Sequence, residues 1–281
     1  MTKRLFIFAG YSATNRVDAA LTYYVRALSE LGDVVLYMDC DAPKSELKKL
    51  APYTLYAGAS RHREYDFGSY KRAYIWARDN LDIKKYDIMY LVNDSVFGPL
   101  MDLTPTFDQM ESIDTPAFGL VGNLHHAHPH IQSWFVGLRK KIFTAPWFDE
   151  FMLSVKHVPD KGSVTILYEH GLSNLITKHG FNWRCLYNMP GRSVYNRVKH
   201  MFKIGVPFIK KVAFTRHNGC LGGQLHYVMR HCDKAARDAI MNGACDTWGT
   251  EYISKLMTRN PLRLMWRGIT YAIPKIIKRE I

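Results

Sequence analysis

Three runs apolar at nearly every position, Leu5 to Ala9, Asp33 to Met38 and Asp87 to Val92, are separated by segments whose apolar residues recur every three or four positions. A run of that kind is buried on both faces, and strands buried on both faces belong to parallel sheets covered by helices. Between the first two runs, Val17, Ala20, Leu21, Tyr24, Leu28 and Leu31 form one apolar helical stripe, with Asn15 as the expected N-cap and Gly32 as the stop. Tyr53 to Ala57 reads as a further strand. Ser69 to Leu81 reads as a helix capped by Ser69 and presenting Tyr70, Ala73, Tyr74 and Ala77. The alternation predicts an α/β, Rossmann-type fold on a mostly parallel sheet.

Beyond Pro105 the pattern is mixed, with short strands at Ala117 to Val121 and Ser133 to Leu138 and helices at Ala145 to Val155 and Tyr168 to Lys178. From Arg216 the chain is rich in Met and Arg at helical spacing. The expected organisation is a domain over 1–215 and a basic amphipathic helical extension over 216–281.

Hydrophobic residues at 47 % exclude a disordered chain. The net charge of +13 is concentrated at the end, where His200 to Ile281 carries 14 basic and 5 acidic residues. Cys40, Cys185, Cys220, Cys232 and Cys245 are odd in number and contain no CxxC pair, which excludes a disulfide framework or a cysteine zinc site. Lys3 and Arg4 before LFIFAG imitate a leader peptide, but the apolar run is too short and reads as a strand. No stretch approaches the roughly 20 apolar residues that cross a bilayer. The expectation is a cytoplasmic protein whose membrane contact, if any, is peripheral.

Parallel sheets bind ligands at the carboxyl ends of their strands. The polar residues there are Tyr11 and Ser12, Asp39 and Asp41, and Asn93, Asp94 and Ser95. Read alone, Asn93-Asp94-Ser95 is either a ligand-facing turn or a strand-ending turn that bonds its own backbone. Asn218 to Gly223 is Gly-rich but lacks the G-x-G-x-x-G register of a dinucleotide loop.

Four segments then occur in order: YDFGSYK from Tyr65 followed by NDSVFGP from Asn93, HIQSWFVGLRKKIF from His130, YEHGLSNLITKHGF from Tyr168, and GVPFIKK from Gly205. Together they resemble the rhamnan synthesis protein F family. The resemblance implies a GT-A-like glycosyltransferase that moves L-rhamnose from dTDP-L-rhamnose onto a cell-surface polysaccharide, O-antigen or other lipid-linked glycan. It implies that Asp94, with Asn93 and Ser95, orients Mg²⁺ or Mn²⁺ or the donor diphosphate. Lys71, Arg72 and Lys210 would neutralise phosphate, Tyr11, Asp39 and Asp66 would contact the donor, and His130, Gln132 and Ser133 would recognise acceptor hydroxyls. Glu169, opening a helix, would be the general base of an inverting displacement, which needs one base and not a carboxylate pair. Without the resemblance, Lys71 and Arg72 are a solvated helix face and Glu169 is an acid favoured by a helix dipole.

His125, His126, His128 and His130 form the run HHAHPH. Two imidazoles at this spacing could bind zinc, but no Cys or acid is near in sequence and Pro129 marks a loop, so a polar loop beside the acceptor site is preferred. Arg259, Arg263, Arg267, Lys275, Lys278 and Arg279 alternate with large apolar residues such as Trp266 and Ile269, a pattern shared by helices at anionic membranes and by core-docked helices with a basic outer face. Two other functions compete with catalysis: a scaffold within a glycan-assembly complex, and nucleic-acid binding, for which the charge speaks but no recognised module is present.

Overall fold

A computed structural model of the chain describes residues 2–190, 193–215, 221–258, 260–266 and 269. They form two compact units. The first comprises Met1–Val17, Leu21–Ser95 and Leu103–Gly191, and the second comprises Asp18–Ala20, Val96–Asp102 and Arg192–Ile281.

The first unit is built on an eight-stranded sheet. Its strands are β1 (Arg4–Tyr11), β2 (Asp33–Asp39), β3 (Tyr56–Ala59), β4 (Ile88–Asn93), β6 (Ala117–Asn123), β7 (His130–Ile131), β8 (Phe135–Arg139) and β9 (Trp183–Asn188). The spatial order is β3-β2-β1-β4-β8-β6-β7, with β9 beside β6. The ladders among β3, β2, β1 and β4 are parallel, as is β6 with β9, whereas β8 runs antiparallel to both β4 and β6 and β7 antiparallel to β6. This is the α/β class with a mostly parallel central sheet that the alternation predicted. The three apolar runs became β1, β2 and β4, and every residue of β4 is buried.

One face of the sheet is covered by the helix Tyr65–Asn80, which buries Phe67, Tyr70, Ala73, Tyr74 and Ala77, a three- and four-residue spacing that aims one stripe at β1 and β2. Each large apolar side chain so buried contributes about 1.5–3 kcal/mol. Elsewhere in the unit Phe6, Tyr90, Phe107, Phe118 and Phe135 form a ring cluster with centroids 5.0 to 6.0 Å apart. Beside it Arg4 grips Glu111 through two bonds of 2.6 and 2.9 Å, and the Tyr90 hydroxyl donates to the same carboxylate at 2.8 Å.

Several elements depart from the sequence expectation. Strand β3 starts at Tyr56 because Ala51–Tyr53 is a 3₁₀ turn containing Pro52, which has no amide hydrogen to give a ladder. Asn15 does not cap the helix Ala19–Ser29; it sits in the left-handed region at φ 57°, and its side-chain oxygen accepts from Asp41 N and Arg61. The helix Tyr65–Asn80 begins four residues before Ser69, which is an interior, buried residue paired with His62. Lys71 and Arg72 therefore lie past the first turn. Tyr168 does not open its helix either: Lys161–Val164, a π-helical turn Thr165–His170 and Gly171–Lys178 follow without a break, and Asp160 caps the series by accepting from Ser163 N. Glu169 is mid-helix, so the argument from an N-terminal dipole lapses.

In the second unit, β5 (Val96–Phe97) pairs antiparallel with β10 (Ile209–Lys210). Phe97 meets Phe214 and Trp248 edge-on, and the helices Leu221–His231, Lys234–Trp248 and Thr250–Leu256 follow. Residues 261–266 are helical, and Leu262, Met265, Trp266 and Ile269 are exposed, but residues 259, 267, 268 and 270–281 of the basic tail lie outside the described residues. Among the described residues no helix is long and apolar enough to cross a membrane.

Candidate active site

The parallel strands β2, β1 and β4 end side by side and deliver Asp39, Tyr11 and Asn93 to one edge. Around Asp39 the chain is tightly tied. Arg61 donates to the Asp39 carbonyl at 3.3 Å and to Asn15 at 2.8 Å, the Arg63 amide donates to the Asp39 carboxylate at 3.1 Å, and the Arg61 guanidinium lies 5.8 Å from the exposed ring of Tyr11. Asn15, Arg63 and Tyr65 are the non-glycine residues with positive φ among the described residues; the first two lie in the loops off this edge and Tyr65 opens the helix that follows, and such strain is often stored at functional sites.

His62 lies beneath this loop. The Glu64 amide donates to its Nδ1 at 3.1 Å, so the ring carries its hydrogen on Nε2 and presents it to Ser69 Oγ at 2.9 Å. Burial, and then the nearby Arg72, push the imidazole down to about 4. The 3.9 Å approach of Nδ1 to Asp39 is accordingly a contact of a neutral ring, not an ion pair. The motif glycine Gly68 is required here, because a Cβ would fall 2.7 Å from His62 Nδ1 and 2.3 Å from Glu64 Cβ.

Asp94, buried after β4, donates its amide to the Ala9 carbonyl. Asn93 closes the turn with its side-chain oxygen, which accepts from both Ser95 N and Ser95 Oγ, while its amide donates to Asp66 at 3.1 Å. One turn along the helix from Asp66, the Tyr70 hydroxyl donates to the Ser133 carbonyl at 2.9 Å. Burial, and then the Asp66 carboxylate, raise Tyr70 well above the ordinary phenol range, which keeps it a donor. Ser133 in turn gives its amide, at 3.0 Å, and its hydroxyl to Glu169 Oε2, and Glu169 Oε1 lies 3.5 Å from His130 Nε2. Because the Tyr70 hydroxyl also meets the Asn93 side chain, Asp66, Asn93, Tyr70, Ser133, Glu169 and His130 belong to one chain of polar contacts within the first unit.

The YEH motif divides its work. Tyr168 packs on Phe67 and bonds Lys156 N and O, Glu169 meets Ser133, and buried His170 lies 4.1 Å, centroid to centroid, from His130. Burial, then His130, lower the His170 imidazole below its ordinary value. The π turn carrying these residues is a feature frequent at functional sites.

Other candidates are engaged elsewhere. Lys71 donates to the Val155 carbonyl at 2.7 Å, Arg72 pairs with Glu64 at 2.7 Å and with the Gly68 carbonyl, and Gln132 accepts from Trp134 Nε1 at 2.9 Å. Lys210 belongs to the second unit. Sequence reasoning missed Tyr70, His62, Arg61 and Asn15. Tyr70 lies inside the YDFGSYK motif but its spacing marks it as core, Asn15 reads as a helix cap, and His62 and Arg61 carry no spacing signal.

The family model of rhamnan synthesis protein F matches residues 42–278. The chain belongs to the rhamnan synthesis protein F family. The four ordered motifs fall within that match. No curated protein matches the sequence. Among solved structures, the chain is similar to the glycosyltransferase GlyE of Streptococcus pneumoniae TIGR4, at 16% identity and TM-score 0.40 over 72% of this chain and 49% of that one. A cytidylyltransferase from Leptospira borgpetersenii is similar at 10% identity and TM-score 0.36, over 68% and 77% of the two chains. A glycosyltransferase involved in glycosylation of the major capsid of PBCV-1 is similar at 12% identity and TM-score 0.36, over 74% and 94%. The chain spans about half the length of GlyE.

Proposed function

We propose that this member of the family is a GT-A-like, inverting glycosyltransferase that moves L-rhamnose from dTDP-L-rhamnose to a glycan acceptor. The observation that carries the reading is the double grip of Ser133 on Glu169, at one end of a polar chain whose other end is Asp66 and Asn93 at the carboxyl edge of the sheet. Glu169 would take the proton from the acceptor hydroxyl as its oxygen attacks the anomeric carbon; the new glycosidic bond forms while the bond to the nucleoside diphosphate breaks, with inversion. Asp66 and Asp39 would bind the donor, and His130 and Ser133 would orient acceptor hydroxyls. Lys71 and Arg72, bonded as they are within the first unit, would act by positioning the loop and helix that carry the site.

Family resemblance also implies Mg²⁺ or Mn²⁺. Asp94 would supply the protein's ligand, and one carboxylate fits such an ion when diphosphate oxygens and waters complete its shell. When bound, the ion would neutralise the leaving diphosphate. The reading is tested by screening nucleotide sugars for saturable binding and transfer, with Mg²⁺, Mn²⁺ or excess chelator. Binding and turnover of dTDP-L-rhamnose is the expected outcome; saturable binding of no nucleotide sugar would overturn it.

A further inference from the structure

We infer that His126, His130 and His170 form a binding site for a divalent transition-metal ion, zinc foremost, separate from any ion at Asp94. The ligand-capable nitrogens of the three all lie within 4.8 Å of one another. A tetrahedral zinc with bonds near 2.0–2.1 Å needs its ligands about 3.3 Å apart. Closing that gap falls to His126, the exposed member, since His130 and His170 are buried.

His130 already has the orientation of a ligand. His130 Nδ1 lies 2.8 Å from the His128 carbonyl and donates to it, which leaves Nε2 with its lone pair. His126 Nδ1 lies 3.2 Å from the same carbonyl but accepts from the His128 amide at 3.1 Å, so its hydrogen is on Nε2 and metal binding there requires this ring to change tautomer. Metal-binding imidazoles almost always give their second ring N–H to a carbonyl or carboxylate, which sets the tautomer. His170 is held next to His130 because Ser173, one turn further along its helix, accepts from the Ile131 amide at 3.1 Å and so locks β7 onto the helix. Glu169 Oε1, 3.5 Å from His130 Nε2, adds the negative charge that three neutral imidazoles lack.

The acid missing from the neighbourhood of HHAHPH in the sequence is thus supplied by Glu169, and the third imidazole by His170, both about forty residues downstream. Nitrogen ligands select zinc, cobalt, nickel or copper over magnesium, which favours oxygen. The inference does not depend on the transferase reading, since it concerns metal retention and not turnover.

Cobalt titration of chelator-treated full-length protein tests it, because tetrahedral Co²⁺ announces itself by intense visible absorption. One equivalent should bind saturably and be displaced by Zn²⁺. His126→Gln changes an exposed residue and should leave the thermal melting curve intact while weakening Co²⁺ affinity by at least about a hundredfold, more than outer partners of ligands usually cost. His125→Gln should bind as the wild type does. Absence of a saturable tetrahedral band in the wild type, or equal affinity in wild type and His126→Gln, would overturn the inference.

Discussion

Ser133 holds Glu169 through two bonds to the same carboxylate oxygen, one from its amide and one from its hydroxyl. A side chain in the loop between β7 and β8 thereby fixes the rotamer of a residue in the middle of a distant helix. The other oxygen, Oε1, faces His130.

Glu169→Gln should reduce transfer by on the order of 10²–10⁴ while leaving donor affinity unchanged, since the amide keeps the shape but takes no proton. Ser133→Ala should cost less, because its amide still donates. Turnover and donor calorimetry on both variants measure this, and a Glu169→Gln enzyme within a few-fold of wild type would return Glu169 to a structural part.

Asp94→Ala should weaken metal-dependent donor binding without unfolding the chain, because the turn is held by Asn93 and Ser95 rather than by the Asp94 carboxylate alone. Donor titrations with Mg²⁺ and with chelator separate the two contributions. Identical curves for variant and wild type would remove Asp94 from the site.

Glu111→Ala should lower the unfolding free energy by about 2–3 kcal/mol. The figure sits below the 3–5 kcal/mol of a fully buried pair because the Arg4 and Glu111 side chains keep 15% and 12% exposure. Urea denaturation reads it directly. A shift under about 0.5 kcal/mol would mean that water replaces the carboxylate at no cost.

His62 gives the stability a defined pH dependence. Its folded value near 4 lies below the ordinary 6.5, so as pH falls the unfolded chain takes the proton first, and stability is lost from about pH 6.5 down to about 4. The full effect is at most on the order of 3 kcal/mol. The groups facing the ring are Asp39, Glu64, Arg61 and Arg72. His62→Gln should flatten this limb of the stability curve relative to wild type; parallel curves would show that other groups produce the slope.

Removing residues 259–281 should reduce co-sedimentation with anionic liposomes, and added salt should weaken the intact protein's attachment, since each basic residue near such a surface contributes about 1 kcal/mol within a Debye length. From Arg259 to Ile281 the sequence has six basic residues and a single acid, Glu280. A lowered melting temperature with no liposome binding by the intact chain would assign the tail to the core.

The strands were legible because β1, β2 and β4 are apolar at almost every position, and two-sided burial leaves no competing period. Boundaries failed where a single side chain had two uses. Ser69 looks like a cap but bonds His62, and Asn15 looks like a cap but ties Asp41 to Arg61. Asp66, Asn93, Ser133 and Glu169 stood out in the sequence, yet their joining could not, because Tyr70 carries the link and its spacing marks it as core. The histidines showed the same limit. Their density was visible, but the acid and third imidazole arrive from another helix.

Asp66 and Tyr70 stand four residues apart on one helix, a rise of about 6 Å. One contacts the turn after β4 and the other the loop that orients Glu169. The helix therefore works as a ruler: the span between these two contacts is written in its pitch. The exposed loop 124–129, by contrast, lies outside that fixed span, a few residues before Ser133.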